Sequence, residues 1–191
     1  MINIDILKLI KEYIVKMLKY KDIMVTFSEV PENVTLCINI TGCPVHCPDC
    51  HSKWLWEDIG DELKPVVLSD LIAKNDGITC IAFMGGDNSP VDIYNLAKWV
   101  KNNTELKVCW YSGMSLREKI PLEYFDYIKT GPYKKELGGL DSFTTNQRFY
   151  EVVPKYAFNS NKIMYRYLED ITFKFWHKEI DDTRNYQNDE E

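Results

Sequence analysis

Cys43, Cys47 and Cys50 fall within eight residues at spacing C-x3-C-x2-C, and they are three of the six cysteines in the chain. Soft thiolates gathered on so short a loop select zinc, copper(I) or an iron-sulfur cluster. Gly42, Pro44 and Pro48 supply the turns that let the three sulfurs face one region. A closed structural site uses four protein ligands, whereas three leave a position at which a metal centre receives a substrate. Two histidines, His46 and His51, flank the cysteines. Two cysteines and two histidines satisfy tetrahedral zinc, so structural zinc stands beside an iron-sulfur centre. Zinc fingers bring their second ligand pair from a second knuckle about a dozen residues away, and there is no second C-x2-C here.

The remaining cysteines, Cys37, Cys80 and Cys109, lie singly inside apolar runs, where a thiol acts as a small hydrophobe. Outside the cysteine loop, Gly85-Gly86-Asp87 combines backbone that a ligand can approach closely with an acceptor-only carboxylate, although Gly-Gly after a strand is first of all a tight turn. The 29 acidic and 23 basic residues give a net charge of -6, which argues against a phosphate-backbone partner. No apolar run reaches the roughly 20 residues needed to span a bilayer, and no secretory signal opens the chain, so the expected location is the cytoplasm.

The elements that must position these residues alternate between strand and helix signals, the pattern of an α/β domain with a largely parallel sheet. Residues 34–40 read as a strand leading into the cysteine loop, and the almost wholly apolar 78–84 as a strand buried on both faces. Further strands are expected at 107–111, 124–128 and 148–153, with 134–146 an irregular loop. A helix is predicted over 65–74. Another starts with Ser89 as N-cap, Pro90 at the first helical position and Asp92 in the first turn. The first twenty residues carry an amphipathic pattern, with Leu7, Ile10 and Ile14 on one stripe and Lys8, Lys11 and Lys16 on the other side.

A resemblance is carried by Phe27-Ser28-Glu29-Val30-Pro31, Ile40-Thr41-Gly42-Cys43, the run from Cys50-His51-Ser52 to Asp58, and Gly85-Gly86-Asp87. Trp110-Tyr111-Ser112-Gly113, Thr130-Gly131-Pro132-Tyr133 and Thr145-Asn146-Gln147-Arg148 extend it. With the C-x3-C-x2-C loop, these motifs resemble the radical SAM enzymes, and among them the family of activating proteins of anaerobic ribonucleoside-triphosphate reductase. The resemblance runs from about residue 20 to about residue 176. It implies an α/β partial (β/α) barrel over residues 21–176; outside it, the amphipathic pattern reads as an extra N-terminal helix over 1–20 and the apolar-poor residues 177–191 as an acidic tail.

The resemblance further implies a 4Fe-4S cluster held by Cys43, Cys47 and Cys50, with S-adenosylmethionine at its open iron. Gly85, Gly86 and Asp87 would surround the ammonium of the methionyl part, and Ser112 would lie near the ribose. Asp49 departs from the aromatic residue found there in many radical SAM enzymes, so backbone contacts from Asp49, Cys50 and His51 are the expected adenine contacts. Asn146-Gln147-Arg148 either serves the site or ties the last strand to the domain. An electron from a flavodoxin-like donor would cleave S-adenosylmethionine, and the deoxyadenosyl radical would take hydrogen from a glycine of the anaerobic reductase. Pyruvate formate-lyase activase and 7-carboxy-7-deazaguanine synthase share the cluster loop and stand as alternatives. Outside the superfamily, the alternatives are a zinc-binding module and a simple iron-sulfur carrier.

The clustering of three cysteines and the scatter of the other three predict two classes of variant. Cys43→Ala, Cys47→Ala and Cys50→Ala should each lose the visible absorption of an anaerobically reconstituted cluster. Cys37→Ala, Cys80→Ala and Cys109→Ala should keep it.

Overall fold

The computed structural model describes residues 17–116, 120–158 and 160–176. Within them, eight strands form one mixed sheet: β1 (Lys19–Thr26), β2 (Thr35–Ile40), β3 (Asp61–Glu62), β4 (Cys80–Met84), β5 (Lys107–Tyr111), β6 (Tyr127–Thr130), β7 (Arg148–Tyr156) and β8 (Ile163–Asp170). Their order across the sheet is β3-β1-β2-β4-β5-β6-β7-β8. The centre, β2-β4-β5-β6, is parallel, whereas β1 and β3 on one side and β7 and β8 on the other join antiparallel. The expectation of an α/β domain with a parallel sheet is therefore met at the centre of the sheet and not at its margins.

Parallel strands covered on both faces read as apolar runs: β4 is wholly apolar, and β2 is interrupted only by Thr35 and Asn39. Two α-helices, α1 (Pro65–Ala73) and α2 (Pro90–Asn103), accompany them among the described residues. On the helix-bearing face, Ile38, Ile81, Phe83, Val108, Trp110 and Ile128 meet Leu68 of α1 and Ile93, Leu96 and Val100 of α2. The opposite face carries Cys37, Cys80, Ala82, Cys109, Tyr127 and Phe149, closed over by Val30 and Ile171. Register explains the small residues there. Cys37 of β2 lies beside Ala82 of β4, which lies beside Cys109 of β5, so short side chains form a row across three strands. Burial pushes the thiols of Cys37 and Cys80 up to about 12, which leaves them uncharged and apolar in character.

Asp126, just before β6, locks the strands to α2. Its carboxylate accepts from the Val108 amide at 2.7 Å and pairs with Lys101 of α2 at 2.9 Å. Ser89 holds the N-cap position of α2, but its hydroxyl donates to the Asp92 carboxylate at 2.7 Å instead of accepting from a backbone amide. Residues 122–124 form a 3-10 turn, and strand β6 begins only at Tyr127, three residues later than the 124–128 reading. Lys19 and Tyr20 belong to β1, not to the end of a helix. The rest of the predicted N-terminal helix, and the acidic tail, lie outside the described residues.

Phe83 is fully buried between β2, β5 and the helices. Phe83→Ala should lower the unfolding free energy by about 3–5 kcal/mol in urea titration, the range for truncating a buried aromatic ring.

Candidate metal centre and adjoining cavity

The cysteine loop begins where β2 ends, and its entrance is fixed by the returning chain. The Thr41 hydroxyl donates to the Ile59 carbonyl at 2.7 Å, the Gly42 amide to Glu57 and the Cys43 amide to Leu55, both at 2.9 Å. At the apex, His46 adopts a left-handed backbone, φ 49°, and its ring stacks on Trp56 with centroids 4.8 Å apart. The Lys53 ammonium lies over the same indole at 5.6 Å. A half-buried aromatic thus carries the turn between the first two cysteines.

Cys43, Cys47 and Cys50 are free thiols, each half-buried. Burial pushes the Cys43 thiol up, while hydrogen bonds from the backbone at Val45 and His46 pull it down. The Ser52 amide donates to the Cys50 sulfur at 3.3 Å. Backbone amides aimed at sulfur are what a cluster-bound thiolate uses, since they stabilise its charge and tune its potential. No three His, Cys, Asp or Glu side chains converge on one ion position among the described residues. A cluster takes its thiolates on separate irons, so it does not require such convergence. The free, half-buried thiols with amide donors fit an iron-sulfur cluster.

Three parallel strand tips meet beside this loop. After β4, Gly85 and Gly86 have φ 109° and 89°, and a Cβ on Gly86 would lie 2.4 Å from Ile93 Cδ1, so only glycine fits. The Trp110 indole N–H donates to the Gly85 carbonyl at 2.8 Å. Asp87 is buried, and its carboxylate accepts from the Ser112 hydroxyl at 2.6 Å and the Gly113 amide at 2.8 Å. The Asn88 amide donates to the Thr41 carbonyl at 3.4 Å, and Val45 of the cysteine loop packs where a Cβ on Gly113 would stand. The tips of β2, β4 and β5 are therefore tied together, with Asp87 at the centre.

A cavity of about 1040 Å³ opens alongside, lined by Cys50, His51, Met84, Tyr111, Lys129 and Gln147 among others. Lys129 stands 7% exposed with its ammonium donating to the Gly131 carbonyl at 2.8 Å, and it pairs with no carboxylate among the described residues. Burial pulls it down to about 8, against the upward pull of Cys47, Asp87, Glu29 and Cys43. Glu29 reaches the cavity because its loop crosses the helix-free face, where its carbonyl accepts from the Tyr111 hydroxyl.

Of the residues singled out in the sequence, the structure places the three cysteines on one loop. It places Gly85, Gly86 and Asp87 next to that loop's entrance, and Ser112 on Asp87. His51 lines the cavity, while Asp49 is exposed on the loop. Asn146-Gln147-Arg148 ties β7 back to the loop after β6. Asn146 donates to the Pro132 carbonyl at 2.9 Å, and Gln147 donates to Gly131 at 3.4 Å. Lys129 lines the cavity although no motif carried it, and Glu29 and Tyr133 line it from motifs to which the sequence gave no role. The only sequence signal for Lys129 was a lysine interrupting the otherwise uncharged strand Tyr127-Ile128-Lys129-Thr130.

An α/β sheet with three free cysteine thiols on one loop at its strand tips, beside a charged cavity, defines a metal-centre protein of the iron-sulfur class. The chain belongs to the 4Fe-4S single cluster domain family, whose model matches residues 32–148. No curated protein and no solved structure matches the chain. Among the described residues no helix is long and apolar enough to cross a membrane.

The Asp87 clasp predicts coupled losses. Asp87→Asn and Ser112→Ala should each lower stability by about 1–3 kcal/mol, because each leaves a buried group without its partner. The double variant should lose less than the two combined, measured by urea unfolding in a double-mutant cycle.

Proposed function

We propose that the protein is a radical SAM activase, a partial (β/α) barrel that binds S-adenosylmethionine beside a 4Fe-4S cluster and generates a glycyl radical on anaerobic ribonucleoside-triphosphate reductase. The observation that carries the reading is Lys129. It is a buried ammonium with no carboxylate partner among the described residues, in a cavity that Cys50 also lines. A buried charge kept without an ion pair is costly unless a ligand supplies the counter-charge. The methionyl carboxylate of S-adenosylmethionine is such an anion, and the cavity of about 1040 Å³ leaves room for part of a second molecule.

A bound cluster would supply the one electron, delivered by an external donor, needed for reductive cleavage of S-adenosylmethionine, and so the oxidising equivalent for removing hydrogen from the substrate glycine. The chain's own residues bind and orient. Cys43, Cys47 and Cys50 would hold the cluster, and the left-handed Gly85-Gly86 turn, which packs against Ile40 and Ile93, would present its backbone to the methionyl ammonium. Asp87 fixes the Ser112-Gly113 turn beside that backbone and adds negative charge near the ammonium. The flavodoxin-like electron donor and the reductase belong to this proposal through the motif resemblance.

The test is anaerobic mixing of the reduced, S-adenosylmethionine-loaded protein with the class III reductase. A doublet EPR signal on the reductase with matching deoxyadenosine supports the reading. Deoxyadenosine formed while only a small molecule or another glycyl enzyme is altered would retain the radical chemistry and replace the partner.

Lys129 gives a separate prediction. Because its pKa in the fold lies below that of the unfolded chain, charging it costs stability. That cost is fully present below about pH 8 and fades as the pH rises towards 10.5. Lys129→Met should therefore stabilise the ligand-free protein at neutral pH, by on the order of 3 kcal/mol at most. It should also weaken S-adenosylmethionine binding, as read by equilibrium dialysis.

A further inference from the structure

The cysteine loop offers no aromatic surface between its second and third cysteines, since Asp49 stands there and is exposed. Flat apolar surface is found a few residues away. The His51 ring, next to Cys50, lies 5.1 Å from the Tyr133 ring at an interplanar angle of 52°. Both rings line the same cavity as Cys50 and Lys129.

Tyr133 sits on a fixed platform. Gly131, at φ 95°, donates its amide to the Met114 carbonyl at 2.8 Å. Pro132 accepts from Asn146 at 2.9 Å, so the loop is held from the β5 tip on one side and the start of β7 on the other. A Cβ on Gly131 would lie 3.1 Å from the Asn146 carbonyl oxygen, which keeps the two segments in close contact. An aromatic ring on so constrained a loop loses little freedom when a ligand covers it.

We infer that Tyr133, backed by His51, is the adenine-stacking wall of the cavity, a specificity-determining residue for the nucleoside half of S-adenosylmethionine. The inference rests on the function proposed above and adds the location of the base. Its logic is the cavity's division of labour. Lys129 provides the charge that a methionyl carboxylate requires, and the Tyr133-His51 pair provides a π-face. Aromatic faces accept a base with little demand on hydrogen bonding, and such stacking is strong enough to dominate a nucleoside's affinity.

Equilibrium dialysis of the anaerobic, cluster-loaded protein with S-adenosylmethionine, 5'-deoxyadenosine and L-methionine tests this. Tyr133→Leu should weaken S-adenosylmethionine and 5'-deoxyadenosine about tenfold. L-methionine binding, iron content and sulfide content should stay as in the wild type, and Tyr133→Phe should restore nucleoside binding. The inference is overturned if Tyr133→Leu holds S-adenosylmethionine as tightly as the wild type. It is overturned too if methionine weakens in parallel, because Tyr133 is then a structural residue. A wild-type protein that binds neither S-adenosylmethionine nor its two halves overturns the proposed function itself, a result distinct from either of these.

Discussion

A single buried carboxylate sets the geometry on which the site depends. Asp87 follows β4 and receives a hydroxyl and an amide from the turn after β5, while Asn88 beside it reaches the entrance of the cysteine loop. Parallel strands end together on one edge of a sheet, but nothing in the strand ladders fixes how the loops beyond them lie. Here that task falls to charge-assisted hydrogen bonds, which are stronger and more directional than neutral ones. The glycines around Asp87 are required by the same closeness: Gly86 touches Ile93, Gly113 touches Val45, and neither place has room for a methyl group.

The cavity beside these tips is built against the usual preference of protein interiors. The sheet's helix-free face is filled with small and apolar groups, Cys37, Ala82 and Cys109 in a row, and closed by Val30 and Ile171. At its upper end the same face carries Lys129, Glu29, Tyr111 and Gln147. Interiors place charges in pairs, and the stability lost by leaving an ammonium unpaired has to be recovered elsewhere in the fold. Membership in a 4Fe-4S family and a buried cation lining the same cavity as Cys50 give that departure a chemical reason. The polar end of the face opens on the cavity that Cys50 also lines.

The margins of the sheet follow different rules from its centre. β1 and β8 are antiparallel additions with much of their length exposed, so their sequences mix charged and apolar residues without the continuous apolar run of β4. β7 accommodates Pro154 because β6 pairs only with residues 148–151, leaving the proline opposite Arg166 of β8 alone. Residues 122–124 turn before β6, since Asp126 must first place its carboxylate on the Val108 amide.

The sequence by itself determined what depends on neighbours along the chain. That covers the spacing of three thiols, the strand leading into their loop, the doubly buried run of β4, the Pro90 start of α2 and the glycines after β4. These are local quantities: the reach of a short loop, the period of burial, the φ of a proline. Tertiary structure decided the rest. β1, β3 and β8 exist because partner strands supply their hydrogen bonds, and their own patterns are too mixed to announce them. Asp87 became a clasp only when β4 and β5 were set side by side, although 25 residues separate it from Ser112. Lys129 and Tyr133 became site residues only when β6 was placed beside β5 and its following loop reached His51. Whether a lysine is a solvated surface group or a buried, unpaired cation depends on what surrounds it in space, and short-range sequence pattern does not carry that information.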